Sequence, residues 1–580
     1  MPSRSLRMKL AASAALLALV ATACGGDDSS GSSNTTGGNP AEQLGKVDCG
    51  QLKYNKDAPD GGTFTDYQWL SSNADNTSFD PAVTQTLAEA QITTAVWDGL
   101  TDFDFTEKCS PVLKGLVAKD DWKVNADATE FTFTIRDGLV FSNGEKVLPH
   151  NFKQGWERAG SKDVASPYGY LINYIKGGAD YAANGGAGLD SIVADDSAMT
   201  LKVTLEHPNA DFPAILTHQF WSPISDADFA KHPKSAGWGD AGALIGNGPF
   251  MVESAPGPDK DVTLVPNPKW AGNVYGDKKV HLDKIIFKST PDVGGAYQTF
   301  ESGDGDSAPI PPGQFKAAMA AYPNNSASTP NLGVYYFDIG DVPELAGPAN
   351  VELRRAISMA IDRNEINTKV YEGTRTIATG IAPPGIPGFK KDLCQYCKTD
   401  ATAAKAHYQK WVDGGGKLTT PLKIEYNPGG AHENVAQIIQ ANLKDVLGVD
   451  AQLDPIAEKY FATVAKEGAC HICRSGWYAD YPTYGNFMVD LFSAASIGGN
   501  NFARYNNPDF EAKIAAAQAE TDTTKRGELY QQAEEILLNT DTVAIPLNWY
   551  TGSAVFRDNI VNNDQPPLGL MLWERIAKTS

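Results

Sequence analysis

The alternation of hydrophobic and polar positions predicts strands in the first third of the chain. Between Phe131 and Arg136, aromatic or aliphatic residues alternate with polar ones, which is the period of a half-buried strand. Asp137-Gly138 ends this strand, and Asn143-Gly144 predicts a second tight turn. We therefore expect paired strands in this region.

From Asn350 the period changes to that of a helix. The apolar residues that fall on one helical face are Leu353, Ala356, Ile357, Ala360 and Ile361. Asn350 is the predicted N-cap, with Glu352 in the first turn. Asp362 and Glu365 predict a capping box that opens the next helix.

A third helix is predicted before Gly448, which would end it. Its apolar positions are Val435, Ile438, Leu443, Val446 and Leu447. Strands and helices alternate along the chain without a fixed repeat, and this pattern indicates an α/β or α+β protein.

The first apolar run, Leu10 to Val20, has the layout of an export signal. Basic residues precede it, and Ala21-Thr22-Ala23 lies between it and Cys24. We expect a lipoprotein signal peptide over residues 1–23 and lipidation of Cys24. The following residues, rich in Gly, Ser, Asn and Thr, predict a flexible tether within 24–59.

Composition narrows the class of protein. The chain has 580 residues, of which 42% are hydrophobic, so more than one domain is expected. The formal charge is −21, and it becomes −24 without the three basic residues of the signal. Such a surface repels phosphate backbones, so we expect no nucleic-acid partner. No later segment predicts a membrane helix.

Cysteines predict disulfides, because an exported chain folds in an oxidising compartment. Beyond Cys24 there are six: Cys49, Cys109, Cys394, Cys397, Cys470 and Cys473. We expect Cys49 to pair with Cys109, and the other four to form two bridges whose connectivity stays open. The alternative is a zinc site made by the two C-x-x-C pairs, with His471 as a further ligand.

Motifs for catalysis are absent from the sequence. There is no His-Glu-x-x-His, and Gly414-Gly415-Gly416-Lys417 is followed by Leu418, which excludes a phosphate-binding loop. The eight histidines are scattered, with no second histidine at metal-ligand spacing. Ser302 to Asp306 lacks the downstream Glu of a calcium loop. We therefore expect no enzyme activity, no cofactor and no metal.

Three longer motifs resemble the family 5 extracytoplasmic solute-binding proteins, which are peptide-binding receptors of ABC importers. These motifs are Phe131 to Glu145, Ile245 to Phe250, and Arg354 to Arg363. The resemblance extends in the same order from about Gly62 to the C-terminus. It also includes Ser78-Phe-Asp-Pro81, Val96-Trp-Asp-Gly-Leu100 and Ala544-Ile-Pro-Leu547.

The resemblance implies an α/β, two-lobed periplasmic-binding-protein-like fold (class II type) with an extra inserted domain and a hinge. The implied boundaries are residues 60–95, 222–331 and 544–580 for lobe I, 96–221 for domain II, and 332–543 for lobe III. Ligand would lie between lobes I and III and be enclosed when they close.

The resemblance also implies site residues. The family's peptide receptors carry an aspartate in a Gly-Trp-x-x-Asp stretch, where it pairs with the ligand's α-ammonium. Here that aspartate is Asp480, with Gly476 and Trp477 beside the ligand backbone. The remaining expected contacts are Arg474, Tyr168 and Gln85, the last standing where related receptors can carry an acidic group.

The expected function is capture of oligopeptides or dipeptides for an ABC permease and its cytoplasmic ATPases. The protein would be a monomer anchored by lipid on the outer face of the bacterial cytoplasmic membrane. Two alternatives remain: the same fold binding an oligosaccharide, metal chelate or haem, and a secreted hydrolase. Peptide length and sequence preference stay open.

Overall fold

The computed structural model describes residues 50–67, 79–84, 86–108, 110–233, 244–254, 261–288, 290 and 292–579. All of these belong to one structural unit, Ala41–Ser580. The predicted signal peptide, Cys24 and the first part of the tether lie outside the described residues. Within the described ranges, no helix is both long and apolar enough to cross a bilayer.

The strands follow one another along the chain in this order: β1 Thr63–Asp66, β2 Thr101–Asp104, β3 Val112–Gly115, β4 Lys123–Val124, β5 Glu130–Thr134, β6 Ile192–Asp195, β7 Thr200–Thr204, β8 Phe250–Ser254, β9 Val262–Pro266, β10 Lys284–Phe287, β11 Ser307–Pro309, β12 Ser326–Ile339, β13 Thr376–Ile377, β14 Lys423–Tyr426, β15 Gln452–Pro455, β16 Ile472–Tyr478, β17 Ala544–Phe556, β18 Ile560–Val561 and β19 Ala577–Lys578.

The α-helices are α1 Leu87–Val96, α2 Pro149–Ala159, α3 Gly178–Asn184, α4 Phe212–Ile215, α5 Asp226–Lys231, α6 Val293–Glu301, α7 Phe315–Ala321, α8 Val351–Ala360, α9 Arg363–Tyr371, α10 Ala401–Asp413, α11 His432–Leu447, α12 Tyr460–Val464, α13 Gly485–Phe492, α14 Pro508–Ala519 and α15 Thr523–Glu535. Short 3₁₀ turns lie at Gly169–Tyr174, Gln219–Trp221, Pro348–Asn350 and Ala494–Ser496, and a π-helical turn, Ile536–Asp541, follows α15.

One mixed sheet organises most of the molecule. Its strand order is β15, β14, β16, β12, β17, β11, β1, β10, β9 and β8, and β13 also pairs with β17. We call β8 to β11 together with β1 the β1 half of this sheet, and β14 to β16 the β16 half. The strands β1 and β14 each pair with their two neighbours in parallel.

The two longest strands, β12 and β17, join the two halves. They have 14 and 13 residues and pair antiparallel from Ser326↔Val555 to Asp338↔Ala544. One end of the pair adjoins β11 and the other adjoins β16. The register shifts between Pro330 and Val334 and again between Tyr335 and Tyr336. These irregularities lie where one half of the sheet passes into the other.

Hydrophobic cores cover both faces of the β16 half. Tyr335, Phe337 and Ile339 of β12 point into a core shared with α8 and α11. Val334 and Tyr336 point to the opposite face, which packs against α13, α14 and α15. Because both faces are covered, this part of β12 is a continuous run of buried residues.

The β1 half has its own core, where the Trp573 ring stands edge-on to Phe64 and Phe287 at centroid distances of 5.5 and 5.1 Å. A separate core lies under the four-stranded sheet β4-β5-β7-β6. Phe131 and Phe133 are buried there, which confirms the alternation read from the sequence.

Two buried polar contacts tie these parts together. Arg158 of α2 forms a bidentate ion pair with Asp80, a residue of the Ser78 to Pro81 motif, and both side chains are at most 1% exposed. Trp156 donates its Nε1–H to the Trp221 carbonyl oxygen over 2.6 Å. Residues that are distant in sequence are thus joined away from water.

The predicted helix starts are confirmed only in part. Asn350 precedes α8, but its side chain makes no capping bond and donates to the Pro343 and Ala346 carbonyls. Asp362 caps α9 by accepting the Glu365 N–H, yet Glu365 does not complete the predicted capping box. The Asp362 N–H already donates to the Asn442 side chain, so Glu365 turns to Lys369 and Asn442. Gly448, in the left-handed region, ends α11 as predicted.

The two C-x-x-C pairs are closed as disulfides, Cys394–Cys397 and Cys470–Cys473. Disulfide sulfurs do not ligate a metal, so the zinc alternative was wrong. No cluster of potential metal ligands occurs among the described residues. The predicted Cys49–Cys109 bridge lies outside them.

Candidate ligand-binding site

Asp480 lies just beyond the end of β16, and its side chain is 14% exposed. Its backbone N–H donates to the Asn486 Oδ1 over 3.0 Å, and the Asn486 Nδ2–H donates to its carboxylate over 3.4 Å. Among the described residues, no lysine or arginine pairs with it. Burial, and secondly the charge of Asp490, raise its pKa to about 8, against the hydrogen bond from Asn486.

A second carboxyl group, Asp490 of α13, lies behind the first. It accepts hydrogen bonds from the Tyr174 and Tyr481 hydroxyls and from Asn486. Burial raises its pKa to about 6, and these three donors hold it lower than that of Asp480. Asn486 therefore bridges the two acidic side chains.

Two further rings, those of Tyr168 and His218, belong to this site. We call Asp480, Asn486, Asp490, His218 and Tyr168 the Asp480 pocket. The Tyr168 and His218 rings lie 4.4 Å apart between centroids. His218 accepts the Phe220 N–H on Nδ1, and its Nε2 lies 3.8 Å from the nearer Asp480 oxygen, too far for a hydrogen bond. Burial lowers the His218 pKa to about 3, so the ring is neutral at pH 7.

The predicted Trp477 and Gly476 occupy opposite faces of β16. Trp477 is half-buried, packs against the core beside α13, and donates its Nε1–H to Asn486 over 2.9 Å. At Gly476, a Cβ atom would lie 2.2 Å from the Tyr550 hydroxyl oxygen. A side chain at this position would therefore force the end of the Tyr550 side chain to move.

Arg474 faces a group of aromatic side chains on the same face of β16 as Gly476. Its guanidinium carbon lies 5.2 Å from the Tyr335 ring centre and 6.0 Å from that of Phe461. Its Nε has no hydrogen-bond partner, and no described carboxylate forms an ion pair with it.

Arg375, which precedes β13, approaches the same group. Its guanidinium carbon lies 3.7 Å from the Tyr371 ring centre, 4.9 Å from that of Tyr550 and 5.9 Å from that of Tyr335. We call Arg375, Arg474, Tyr335, Tyr371 and Tyr550 the arginine–tyrosine wall.

His432 lies against this wall. The Tyr335 hydroxyl and the His432 Nδ1 are 2.9 Å apart, and the two rings stack at 5.5 Å. Burial, and then the charges of Arg474 and Arg375, lower the His432 pKa to about 3. The imidazole is therefore neutral at pH 7, and the wall's positive charge resides on its two arginines.

The structure thus places Asp480 and Tyr168 in one pocket and Arg474 in the neighbouring wall, while Gln85 lies outside the described residues. Sequence reasoning missed Asn486, Asp490, His218, His432 and Arg375. One signal was available: Asp490 is a lone acidic residue in the otherwise apolar or uncharged stretch Gly485–Phe492. Arg375 and His432 have no such signal, because only the fold brings them to Arg474.

Comparisons with known proteins identify the family of the chain. A sequence model described as bacterial extracellular solute-binding proteins, family 5, matches residues 112–499. The oligopeptide-binding protein OppA of Bacillus subtilis is 31% identical over 467 residues, covering 79% of this chain and 83% of the relative. The probable deoxycholate-binding periplasmic protein YgiS of Escherichia coli is 27% identical over 487 residues, with 82% and 86% coverage.

A solved structure shows the same fold. The crystal structure of Haemophilus influenzae OppA in complex with the peptide RPPGFSPFR superposes with a TM-score of 0.72 at 23% identity, over 91% of this chain and all of that one. The predicted α/β, two-lobed fold is confirmed by this likeness.

Proposed function

The chain belongs to family 5 of the bacterial extracellular solute-binding proteins, and from this membership we propose that it is the substrate-binding receptor of an ABC importer for peptides. It captures oligopeptides or dipeptides outside the cytoplasmic membrane and delivers them to a membrane permease. The family is defined by solute binding, and the similarity to the oligopeptide-binding protein of Bacillus subtilis supports the peptide cargo.

The observation that carries the peptide assignment is the Asp480 carboxyl group. It is largely buried and has no cationic partner among the described residues. A peptide's α-ammonium supplies the missing positive charge and a charge-assisted hydrogen bond, which offsets the cost of burying both groups. The pocket is thus suited to a ligand that ends in an amine.

The arginine–tyrosine wall suits the ligand's other end. Arg474 precedes Asp480 by six residues, and β16 ends at Tyr478, so their Cα atoms are at most about 20 Å apart at the rise of a strand. An extended peptide covers about 3.5 Å per residue. We therefore propose a ligand of about three to five residues, with its amine at Asp480 and its carboxylate at Arg474.

Closure around the ligand is the proposed mechanism of presentation. The β1 half of the sheet corresponds to lobe I and the β16 half to lobe III, with boundaries near 60–95, 222–331 and 544–580 against 332–543. Residues 96–221 form the inserted domain II, which contributes Tyr168 and His218 to the Asp480 pocket. The irregular register of β12 and β17 supports a hinge there.

The proposed partners are a permease and its cytoplasmic ATPases, which accept the closed receptor. We propose that lipid on Cys24 holds the protein at the outer face of the membrane and that it works as a monomer. The sequence pattern from Leu10 to Cys24 supports the anchor.

One relative favours a second candidate function, because it is named as a probable deoxycholate-binding protein. Deoxycholate is a bile acid. Deoxycholate carries a carboxylate and no amine. If this chain bound such an acid, the arginine–tyrosine wall would hold the ligand and Asp480 would not contribute.

A double-mutant cycle between protein and ligand tests the proposal. Calorimetry compares tri- to pentapeptides with their N-acetylated forms, against wild type and Asp480→Asn. Asp450→Asn is the matched control, because Asp450 is 80% exposed and its ion pair among the described residues is with Lys444. Acetylation or Asp480→Asn alone should cost about 2–4 kcal/mol of binding free energy, and acetylation should cost little more once Asp480 is changed. Equal affinity of free and acetylated peptides for the wild type would refute the proposal.

A further inference from the structure

Two arginines share one small region without an acidic partner. The guanidinium carbons of Arg375 and Arg474 lie 5.9 and 5.2 Å from the centre of the same Tyr335 ring. No described carboxylate forms an ion pair with either. In a chain with a formal charge of −21, two unpaired arginines at one place indicate a site for negative charge.

We propose that the arginine–tyrosine wall binds two carboxylates of one ligand, so that the receptor prefers peptides whose C-terminal residue is aspartate or glutamate. This inference rests on the proposed function, because it assumes that a peptide ends at Arg474. It adds a specificity determinant, Arg375, which receives the side-chain carboxylate.

Arg375 is held in one orientation, as such a role requires. Its guanidinium stacks at 3.7 Å on Tyr371, and its Nη1–H donates to the Asn548 Oδ1 over 3.0 Å. A guanidinium has five N–H donors in a rigid fork, so one hydrogen bond to Asn548 leaves others for a carboxylate. The stacking also limits the entropy lost when a ligand binds.

The charge balance explains why one carboxylate of the ligand does not neutralise both arginines. A peptide's α-carboxylate neutralises one guanidinium and leaves the other, which loses solvent when the cleft closes. An unpaired charge in an enclosed site is costly, whereas a second carboxylate converts it into a charge-assisted pair. His432 cannot balance the second arginine, because its imidazole is neutral.

The test is a matched pair of ligands that differ only in charge. The oligoalanine length that binds best is first found among tri-, tetra- and pentaalanine. Its C-terminal residue is then replaced by Glu or by Gln, and both dissociation constants are measured for the wild type, Arg375→Gln and Arg375→Lys. Arg355→Gln is the control, because Arg355 also lies over a tyrosine ring, at 4.7 Å, but is paired with Glu352.

The wild type and Arg355→Gln should bind the Glu peptide at least tenfold more tightly than the Gln peptide. Arg375→Gln should abolish this preference, and Arg375→Lys should keep part of it. Equal affinities in the wild type, or a preference that survives in folded Arg375→Gln, would overturn the inference. If Arg375→Gln does not fold, the affinities of the wild type for the Glu and Gln peptides still test the inference. Absence of binding by every peptide would instead refute the proposed function.

Discussion

The side-chain amide of Asn486 forms hydrogen bonds of different length with the neighbouring carboxyl groups of Asp480 and Asp490. Asn486 gives Asp490 a hydrogen bond of 2.9 Å and Asp480 a longer one of 3.4 Å. Asp490 also accepts hydrogen bonds from two tyrosine hydroxyls, whereas no tyrosine in the described part of the chain donates to Asp480. Asp490 is therefore satisfied within the protein, and Asp480 is left to be satisfied by a ligand.

This difference predicts a pH-dependent affinity. With a pKa of about 8, Asp480 is protonated over most of the range from pH 5 to 7, while a peptide's α-amine, with a pKa of about 7.7–8.0, is charged. Binding requires the ionised carboxylate and so releases a proton. The association constant should rise about tenfold per pH unit from pH 5 to 7 and pass through a maximum near pH 8, above which the amine loses its proton.

Calorimetry in buffers of different ionisation enthalpy measures the proton release directly. About one proton should leave per peptide at pH 6.5. Neutral His218 contributes nothing in this range, and Asp490→Asn, which removes the other carboxyl group, separates its titration from that of Asp480. Proton uptake, or an affinity that does not change with pH, would contradict the assigned role of Asp480.

Asp338 of β12 predicts a pH-dependent stability. The residue is 1% exposed, and burial raises its pKa to about 8, against the hydrogen bond from Ser475. In the unfolded chain its pKa is about 3.9. Between these values the unfolded state has lost the proton that the folded state keeps, so stability falls as pH rises.

The variant Asp338→Asn removes this contribution. From pH 5 to 7, its free energy of unfolding should fall with pH less steeply than that of the wild type, by about 1.4 kcal/mol per pH unit. Chemical denaturation at several pH values measures the slopes, with exposed Asp450→Asn as the control. Parallel curves for wild type and Asp338→Asn would show that Asp338 is ionised in the folded protein.

At the scale of elements, β16 connects the two ends of the site. Arg474, Gly476 and Tyr478 lie on one face of the strand, towards the arginine–tyrosine wall. Trp477 lies on the other face and reaches Asn486. The strand thereby fixes the spacing between the wall and the Asp480 pocket. Tyr478 extends the wall by stacking on Tyr550, with ring centres 4.5 Å apart.

Gly476→Ala should disturb this wall with little effect on folding. The new Cβ atom would lie 2.2 Å from the Tyr550 hydroxyl oxygen, and the end of that side chain has to move. We expect about a tenfold loss of peptide affinity, from an overpacking cost of about 1–3 kcal/mol. Adding Tyr550→Phe, which removes the clashing oxygen, should restore part of it. A double variant as weak as Gly476→Ala alone would refute this steric explanation.

Local sequence patterns predicted the helices and strands better than the contacts between them. The alternation from Phe131 and the glycine that ends α11 follow from short-range preferences, and both are confirmed. Only one of the two hydrogen bonds of the predicted capping box at Asp362 forms. The Asp362 N–H donates to Asn442 of another helix instead of to Glu365. Arg375 and His432 reach Arg474 only through the pairing of β12, β16 and β17. No spacing in the sequence encodes those long-range contacts, whereas family resemblance pointed directly to Asp480.

At the scale of the whole molecule, β12 and β17 carry the proposed motion. Each strand contributes to both halves of the large sheet, so bending near the register shift at Pro330 would move one half against the other. Ligand then acts by binding the closed arrangement more tightly than the open one.

Small-angle scattering tests this motion. A peptide at about 100 times its dissociation constant should reduce the radius of gyration and stabilise the fold by about 2.7 kcal/mol. Both changes should be smaller in Asp480→Asn at the same peptide concentration, because its affinity is lower. Stabilisation without any decrease in the radius of gyration would support binding but contradict closure.

Native mass spectrometry of the soluble Ser29-to-Ser580 form shows whether the protein carries peptides. The protein as purified is compared with protein that has been denatured and refolded, and any released ligand is sequenced. We expect a set of short peptides that leave on denaturation and rebind to refolded wild type but not to Asp480→Ala. A protein that ignores peptide mixtures, and instead takes up a sugar, a chelate or a bile acid, would keep the fold and contradict the peptide assignment.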